Sequence, residues 1–387
     1  MVRASFAVRF GLTLDTASIV GVVGCGSDHL PASVSTGPGR AYGGSEHDAA
    51  GSFGFDGGSL APPGCGVGPD GGVCDCIDTP LLIDPPNFYF VLDRSGSMVD
   101  ADKWNTIRGA VSEIMASVGP RAAFGAAAFP GKGGSCAAGT EIMSVRPGDS
   151  PSGSYGPANK FLFEATRVLP AAGGTPTAST IEALVTTLPK LPGKTYAILA
   201  TDGGPNCSQS TCGAESCILN LESANNCRPA GPSCCLDQVG LCLDSEATVT
   251  AIQRLKAAGI PTFVIGVPGS QSYGSLLDRM AQAGGTAQPG NPAYYRVDKT
   301  DKADLVASLR KVAAKIVATC SFELKEAPAD VNRLNVYLDE KVVPKGEKGW
   351  KVEGKTVTLL GETCASVMNG DVLDVRIILG CPTIEAR

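Results

Sequence analysis

The sequence predicts an α/β fold: a doubly wound, mostly parallel sheet flanked by helices, with a disulfide-rich insert and a small C-terminal β appendage. Three observations carry this. From Asn87 onward, apolar runs alternate with stretches of helical periodicity, the signature of successive βα units. Seven cysteines interrupt that alternation between Asp202 and Ser245, and after Cys320 it stops and short β runs take over.

The first run, Phe88-Tyr89-Phe90-Val91-Leu92, has no polar alternation, as expected of a strand covered on both faces. Trp104, Ile107, Val111, Ile114 and Met115 follow at helical spacing. Residues 122–129 (AAFGAAAF) read as a second strand and 142–145 as a short third; 161–169 and 178–188 read as helices. Residues 195–200 (TYAILA) and 260–267 (IPTFVIGV) are further buried strands. Helices are expected over 245–258, 274–283 and 302–318, with an edge strand near 294–297. In the appendage the β runs are 334–338, 356–360 and 372–379. The domain organisation read from these patterns is a signal segment (1–24), a Gly-rich tether (25–77), the α/β domain (84–318, with the insert at 203–243) and the β region (319–387).

Composition narrows the function. The 43% hydrophobic and 18% charged residues suit a core-forming chain, and 32 Lys plus Arg against 38 Asp plus Glu give a net charge of −6. No basic run exceeds two residues, so the electrostatic footprint of a nucleic-acid binder is missing. The two histidines, His29 and His47, lie in the Gly-rich N-terminal stretch. The expected domain therefore lacks His-based nucleophile pairs, proton shuttles and His-ligated zinc. There is also no Gly-x-Ser-x-Gly or Walker-type loop, so the chain is not expected to be an enzyme.

The N-terminus carries Arg3 and Arg9, an apolar stretch interrupted by Asp15, and then Val22-Val23-Gly24-Cys25, which resembles a bacterial lipoprotein signal. Cys25 is the expected lipidation site, and an ordinary cleaved signal peptide is the alternative; both export the chain. With Cys25 lipidated, fourteen of the fifteen cysteines remain, an even number compatible with complete pairing in an oxidising compartment. Residues 26–77 contain fourteen Gly and five Pro and read as a flexible tether. A lipid anchor is then the only membrane attachment expected, and the location is the outer membrane, facing the periplasm or the cell surface.

The chemistry is concentrated where strands give way to helices. Asp93-Arg94-Ser95-Gly96-Ser97 places a carboxylate and two hydroxyls at alternate positions after the first strand. Thr201-Asp202-Gly203-Gly204 follows another buried strand, and Gly173-Gly174-Thr175-Pro176 puts a hydroxyl on a Gly-rich loop that opens a helix. Singly, these segments are ordinary caps and turns. Together they offer oxygen donors at the carboxyl edge of a parallel sheet, where ligands bind and where a hard cation finds suitable partners.

In this order the three segments resemble the metal-ion-dependent adhesion site (MIDAS) of von Willebrand factor A (vWA) domains, whose fold is Rossmann-like, over roughly residues 84–318. The resemblance implies a divalent metal, Mg²⁺ or else Mn²⁺ or Ca²⁺, held by Asp93, Ser95, Ser97, Thr175 and Asp202. In that family the counterparts of Ser95 and Ser97 ligate directly, and those of Asp93 and Asp202 commonly act through water. The implied mechanism is coordination of an acidic group from a protein or glycan partner. A periplasmic scaffold or assembly factor is the alternative function, and a metal-dependent enzyme a more distant one. More loosely, the whole chain resembles predicted envelope lipoproteins of myxobacteria, down to Gly380-Cys381-Pro382 near its end.

The insert departs from the family. Cys207, Cys212 and Cys217 have zinc-like spacing, but export, the lack of histidine and the even total favour disulfides. Seven insert cysteines require a partner outside, for which Cys136 is one possibility; Cys320, Cys364 and Cys381 likewise require one, from Cys65, Cys74 or Cys76. Starting directly after Asp202, the insert either supplies partner specificity or is a stapled surface loop.

Overall fold

The computed structural model describes residues 66–67, 73–75 and 85–385, apart from positions 151 and 340. The expected signal segment, Cys25 and most of the tether lie outside the described residues. Within the stretch read as tether, β1 (Gly66–Val67) and β2 (Val73–Asp75) form an antiparallel pair. Strands of two and three residues are too short to leave a periodic pattern, so composition alone reads them as coil.

The sheet grows from β3 (Asn87–Asp93), all seven residues of which are buried. It pairs in parallel with β4 (Ala123–Phe129) on one side and β6 (Thr195–Thr201) on the other, placing Phe88 beside both Phe124 and Tyr196. β7 (Thr262–Gly266) and β8 (Tyr295–Arg296) continue the parallel order beyond β6, and β5 (Thr140–Pro147) closes the opposite edge antiparallel to β4. The order is thus β5-β4-β3-β6-β7-β8. Alternate residues of a strand face opposite ways, so β3 feeds two cores. Phe88, Phe90 and Leu92 pack with α1 (Lys103–Val118), α2 (Pro157–Arg167) and α7 (Lys302–Val317). Tyr89 and Val91 pack with α3 (Thr177–Val185), α5 (Ser245–Ala257) and α6 (Gly274–Gly284). Burial on both faces is why these strands read as unbroken apolar runs.

The expected elements are present, with instructive shifts. α2 begins at Pro157, four residues before its apolar pattern, because the Asp149 carboxylate accepts from the backbone N–H groups of Ala158 (2.7 Å) and Asn159 (3.0 Å). That cap comes from outside the helix, and a local signature does not reveal it. The insert contains only short helical turns, among them α4 (Ile218–Leu221). Disulfides Cys212–Cys242, Cys217–Cys235 and Cys227–Cys234 hold it internally, and Cys136–Cys207 ties it to the β4–β5 loop. The zinc alternative therefore lapses. The sulfur atoms of Cys212, Cys235 and Cys242 do cluster, but as members of neighbouring disulfides they offer no thiolate.

The C-terminal region is more elaborate than the expected β runs. β9 (Ser321–Glu323), β12 (Trp350–Glu353) and β13 (Thr356–Leu359) form one antiparallel sheet. β10 (Leu334–Leu338), β11 (Lys341–Val343) and β14 (Val375–Leu379) form another. Phe322, Val336, Trp350, Val357 and Ile377 fill a shared core. The sequence reading missed α8 (Gly361–Asn369), whose end is marked by Gly370 at φ 81°. A Cβ at that glycine would lie 2.8 Å from Ala314 Cβ, so the turn seats against α7 only without a side chain. Cys320 pairs with Cys364, and Cys381 is also disulfide-bonded, as parity requires. Its three expected partners have side chains outside the described residues.

Trp350 is fully buried and donates its indole N–H to Val343 O at 2.8 Å. Trp350→Ala should cost about 3–5 kcal/mol of stability in the C-terminal core, read as a lower urea midpoint; a loss below about 1 kcal/mol would contradict this packing.

Candidate metal centre

β3 sends its connection to β4 on one side and β6 sends its own to β7 on the other, so the chains leaving β3 and β6 diverge and a crevice opens between their carboxyl ends. Asp93 is the last residue of β3, and Asp202 directly follows β6. All five residues expected at the site lie on segments that meet here.

The first segment turns sharply. Asp93 is completely buried; one carboxylate oxygen accepts from Ser95 N at 2.8 Å and the other from Thr201 Oγ1 at 2.5 Å. Ser95 Oγ and Ser97 Oγ lie 3.2 Å apart, and Ser97 Oγ donates to Asp202 Oδ1 at 2.8 Å. Ser97 is exposed, whereas Asp93, Ser95, Thr175 and Asp202 are buried, so the cluster has a buried floor and opens at Ser97.

Backbone hydrogen bonds bring in the second segment: Gly96 N donates to Gly173 O (2.9 Å) and Ala172 N to Arg94 O (2.7 Å). Thr175 is then clamped to the third. Its N–H donates to Asn206 Oδ1 at 2.7 Å, and Asn206 N donates to Thr175 O at 2.9 Å. Ser135 accepts from Gly174 N through its carbonyl (2.8 Å) and hydroxyl (3.1 Å) oxygens, one residue before the Cys136–Cys207 disulfide. A Cβ built on Gly203 would lie 3.9 Å from both Ser97 Oγ and Thr175 Oγ1. The side-chain-free glycine thus sits beside two of the five side chains, Ser97 and Thr175, and Ser97 is in turn bonded to Asp202.

Lys103, on the first turn of α1, pairs with Asp202 Oδ2 at 2.6 Å and donates to Ser97 O at 3.2 Å. Burial, and then the charge of Asp202, push the Asp93 carboxyl up to about 7. Two buried carboxylates with one ammonium beside them leave a deficit of positive charge, and the surplus oxygen donors suit a hard divalent cation. The residues present therefore fit the expected metal.

Sequence reasoning did not find Thr201, Lys103 or Asn206. Thr201 and Asn206 sit beside the Asp202 motif, yet nothing in their local pattern distinguishes them from strand-end and turn residues. Lys103 reads as an ordinary surface lysine of an amphipathic helix.

No family model matches this chain, and no curated protein matches it. Among solved structures it is similar to the pilus adhesin SpaC of Lactobacillus rhamnosus GG, at 16% identity and a TM-score of 0.46 over 78% of this chain and 39% of that one. The chain thus spans about two fifths of that adhesin's length. It is also similar to the vWF domain of the type V pili tip protein Mfa5 of Porphyromonas gingivalis, at 13% identity and TM-score 0.41 over 61% of this chain and 96% of that one. A von Willebrand factor type A structure from Catenulispora acidiphila is similar at 15% identity and TM-score 0.40, over 76% of this chain and 57% of that one.

Asn206→Ala removes the acceptor of the Thr175 N–H and should cost about 1–3 kcal/mol. Hydrogen exchange should show faster exchange at the Thr175 amide than in the wild type; unchanged protection there would exclude the clamp.

Proposed function

We propose that this protein is a metal-dependent, adhesion-type binding module of the bacterial cell envelope. In this reading Asp93, Ser95, Ser97, Thr175 and Asp202 hold one divalent cation, Mg²⁺ or alternatively Mn²⁺ or Ca²⁺. A carboxylate of a protein or glycan partner completes its coordination. The observation that carries the reading is the convergence of these side chains, from three segments far apart in sequence, on one crevice at the carboxyl edge of the sheet.

The chemistry follows from the donors. The hydroxyls of Ser95, Ser97 and Thr175 are neutral, and the Asp93 and Asp202 oxygens are already engaged by Thr201, Ser95, Ser97 and Lys103. Such a set neutralises a divalent ion incompletely, and the exposed rim at Ser97 admits an anionic group. The protein's part is to hold and orient these oxygens and keep water from the buried floor. We propose binding without turnover.

The disulfides mark a protein of an oxidising compartment. We propose an outer-membrane lipoprotein anchored through Cys25, with the tether carrying the domain away from the membrane.

Calorimetry with Mg²⁺ tests the site directly: Asp93→Ala should abolish binding, and retention of wild-type affinity would sink the proposal. The raised pKa of Asp93 supplies a second test. Its folded value of about 7 exceeds the ordinary 3.8, so the cation-free protein loses stability as pH rises between these values, and protons compete with metal over the same window. The gain in Tm on adding Mg²⁺ should therefore be larger at about pH 8 than at about pH 5. Equal gains would argue against Asp93 as a ligand-side carboxylate.

A further inference from the structure

Lys103 occupies its position against local preference. As the first residue of α1 it puts an ammonium at the positive end of the helix dipole. The two residues before it, Ala101 (φ 51°) and Asp102 (φ 56°), both adopt the left-handed conformation that non-glycine residues avoid. What these costs secure is a buried contact. The Lys103 side chain is 10% exposed and the Asp202 side chain 1%, with Nζ 2.6 Å from Asp202 Oδ2.

The slot around the ammonium is shaped for it. Gly269, at φ 110°, approaches so closely that a Cβ there would stand 3.1 Å from Lys103 Nζ. The other cationic side chain between Asp93 and Lys103, Arg94, donates to Pro170 O at 2.6 Å. Lys103 is the ammonium held against Asp202. The two oxygens of Asp202 are divided, Oδ1 facing Ser97 and the oxygen cluster and Oδ2 held by the lysine.

We propose that Lys103 is the specificity-determining residue of the metal centre, holding Asp202 back from full ligation so that the bound cation keeps a net positive charge and selects an anionic partner. This rests on the proposed divalent site. With Asp93 and Asp202 ionised, a divalent ion is formally neutralised; Lys103 adds one positive charge that no residue of the cluster cancels. Asp202 can offer the ion one oxygen, since its other is committed to the ammonium. The site thereby gives up metal affinity and gains attraction for a carboxylate at the open rim. A site lacking the lysine would hold metal more tightly and bind an anion less well.

The test uses the full chain, with Mn²⁺ as the metal and acetate as the carboxylate probe, both followed by water-proton relaxation. A unit charge a few ångströms away in a partly buried site changes affinity for another charge by about tenfold or more. Lys103→Met should bind Mn²⁺ at least about tenfold more tightly than the wild type, and its Mn²⁺-loaded form should bind acetate about tenfold more weakly. Lys103→Arg, which keeps the charge, should restore acetate binding. Structural damage alone would weaken both ligands together, so opposite changes identify the charge effect. If Lys103→Met does not fold, Lys103→Gln, which keeps a donor for Ser97 O, takes its place with the same expectation. Unchanged or weaker Mn²⁺ binding by the neutral variant, with wild-type binding intact, overturns the role of Lys103 alone. Absence of Mn²⁺ binding by the wild type overturns the divalent site and this role with it.

Discussion

Side-by-side pairing of β3 and β6 is the constraint on which the rest of the molecule depends. These strands are separated by about a hundred residues, yet they run parallel in register, with Leu92 beside Ala200. Their carboxyl ends therefore release Asp93 and Asp202 into the same crevice. Two carboxylates confined there repel one another and lack water, which is why burial and Asp202 raise the pKa of Asp93. Around this unfavourable pair the structure assembles hydroxyls, backbone N–H groups and one ammonium. Neutral donors satisfy the oxygens without cancelling the charge, and the ammonium offsets only one of the two carboxylates, an imbalance that suits a hard cation.

The loops around the crevice have little regular structure and small apolar content, so they depend on specific ties. Asn206 and Thr175 exchange two hydrogen bonds, and Ser135 takes both of its contacts from Gly174. Covalent closure adds to these: Cys136–Cys207 joins the β4–β5 loop to the chain just beyond Asp202. A disulfide restricts the unfolded chain more than it improves the folded one, so it suits a segment unable to form a core of its own. The insert shows the same economy on a larger scale, with Cys217, Cys235 and Cys242 as its buried centre.

Much of the domain was legible because burial on both faces erases alternation, and such runs in β3, β6 and β7 are hard to mistake. Legibility failed where the deciding partner was distant. The start of α2 depends on Asp149, the antiparallel direction of β5 depends on its pairing with β4, and α8 is recognisable mainly from the α7 surface that Gly370 meets. In the C-terminal region, half-buried strands of three to five residues give weak patterns, and β9, β11 and β12 were overlooked for that reason. At the crevice, five residues could be read from their motifs. Thr201, Asn206 and Lys103 could not, because their roles consist of contacts across loops.

By itself the sequence determined the alternating βα order, the covered strands, the oxygen-rich motifs at their ends and the parity that demands a cysteine outside the insert. Each is a local or counting property, set by side-chain chemistry and spacing. Only the tertiary structure decided that β3 and β6 are neighbours, that Cys136 is the outside partner and that Lys103 faces Asp202. Those are outcomes of packing: a lysine after two left-handed residues reaches Asp202 because α1 settles against the sheet with its first turn beside the crevice.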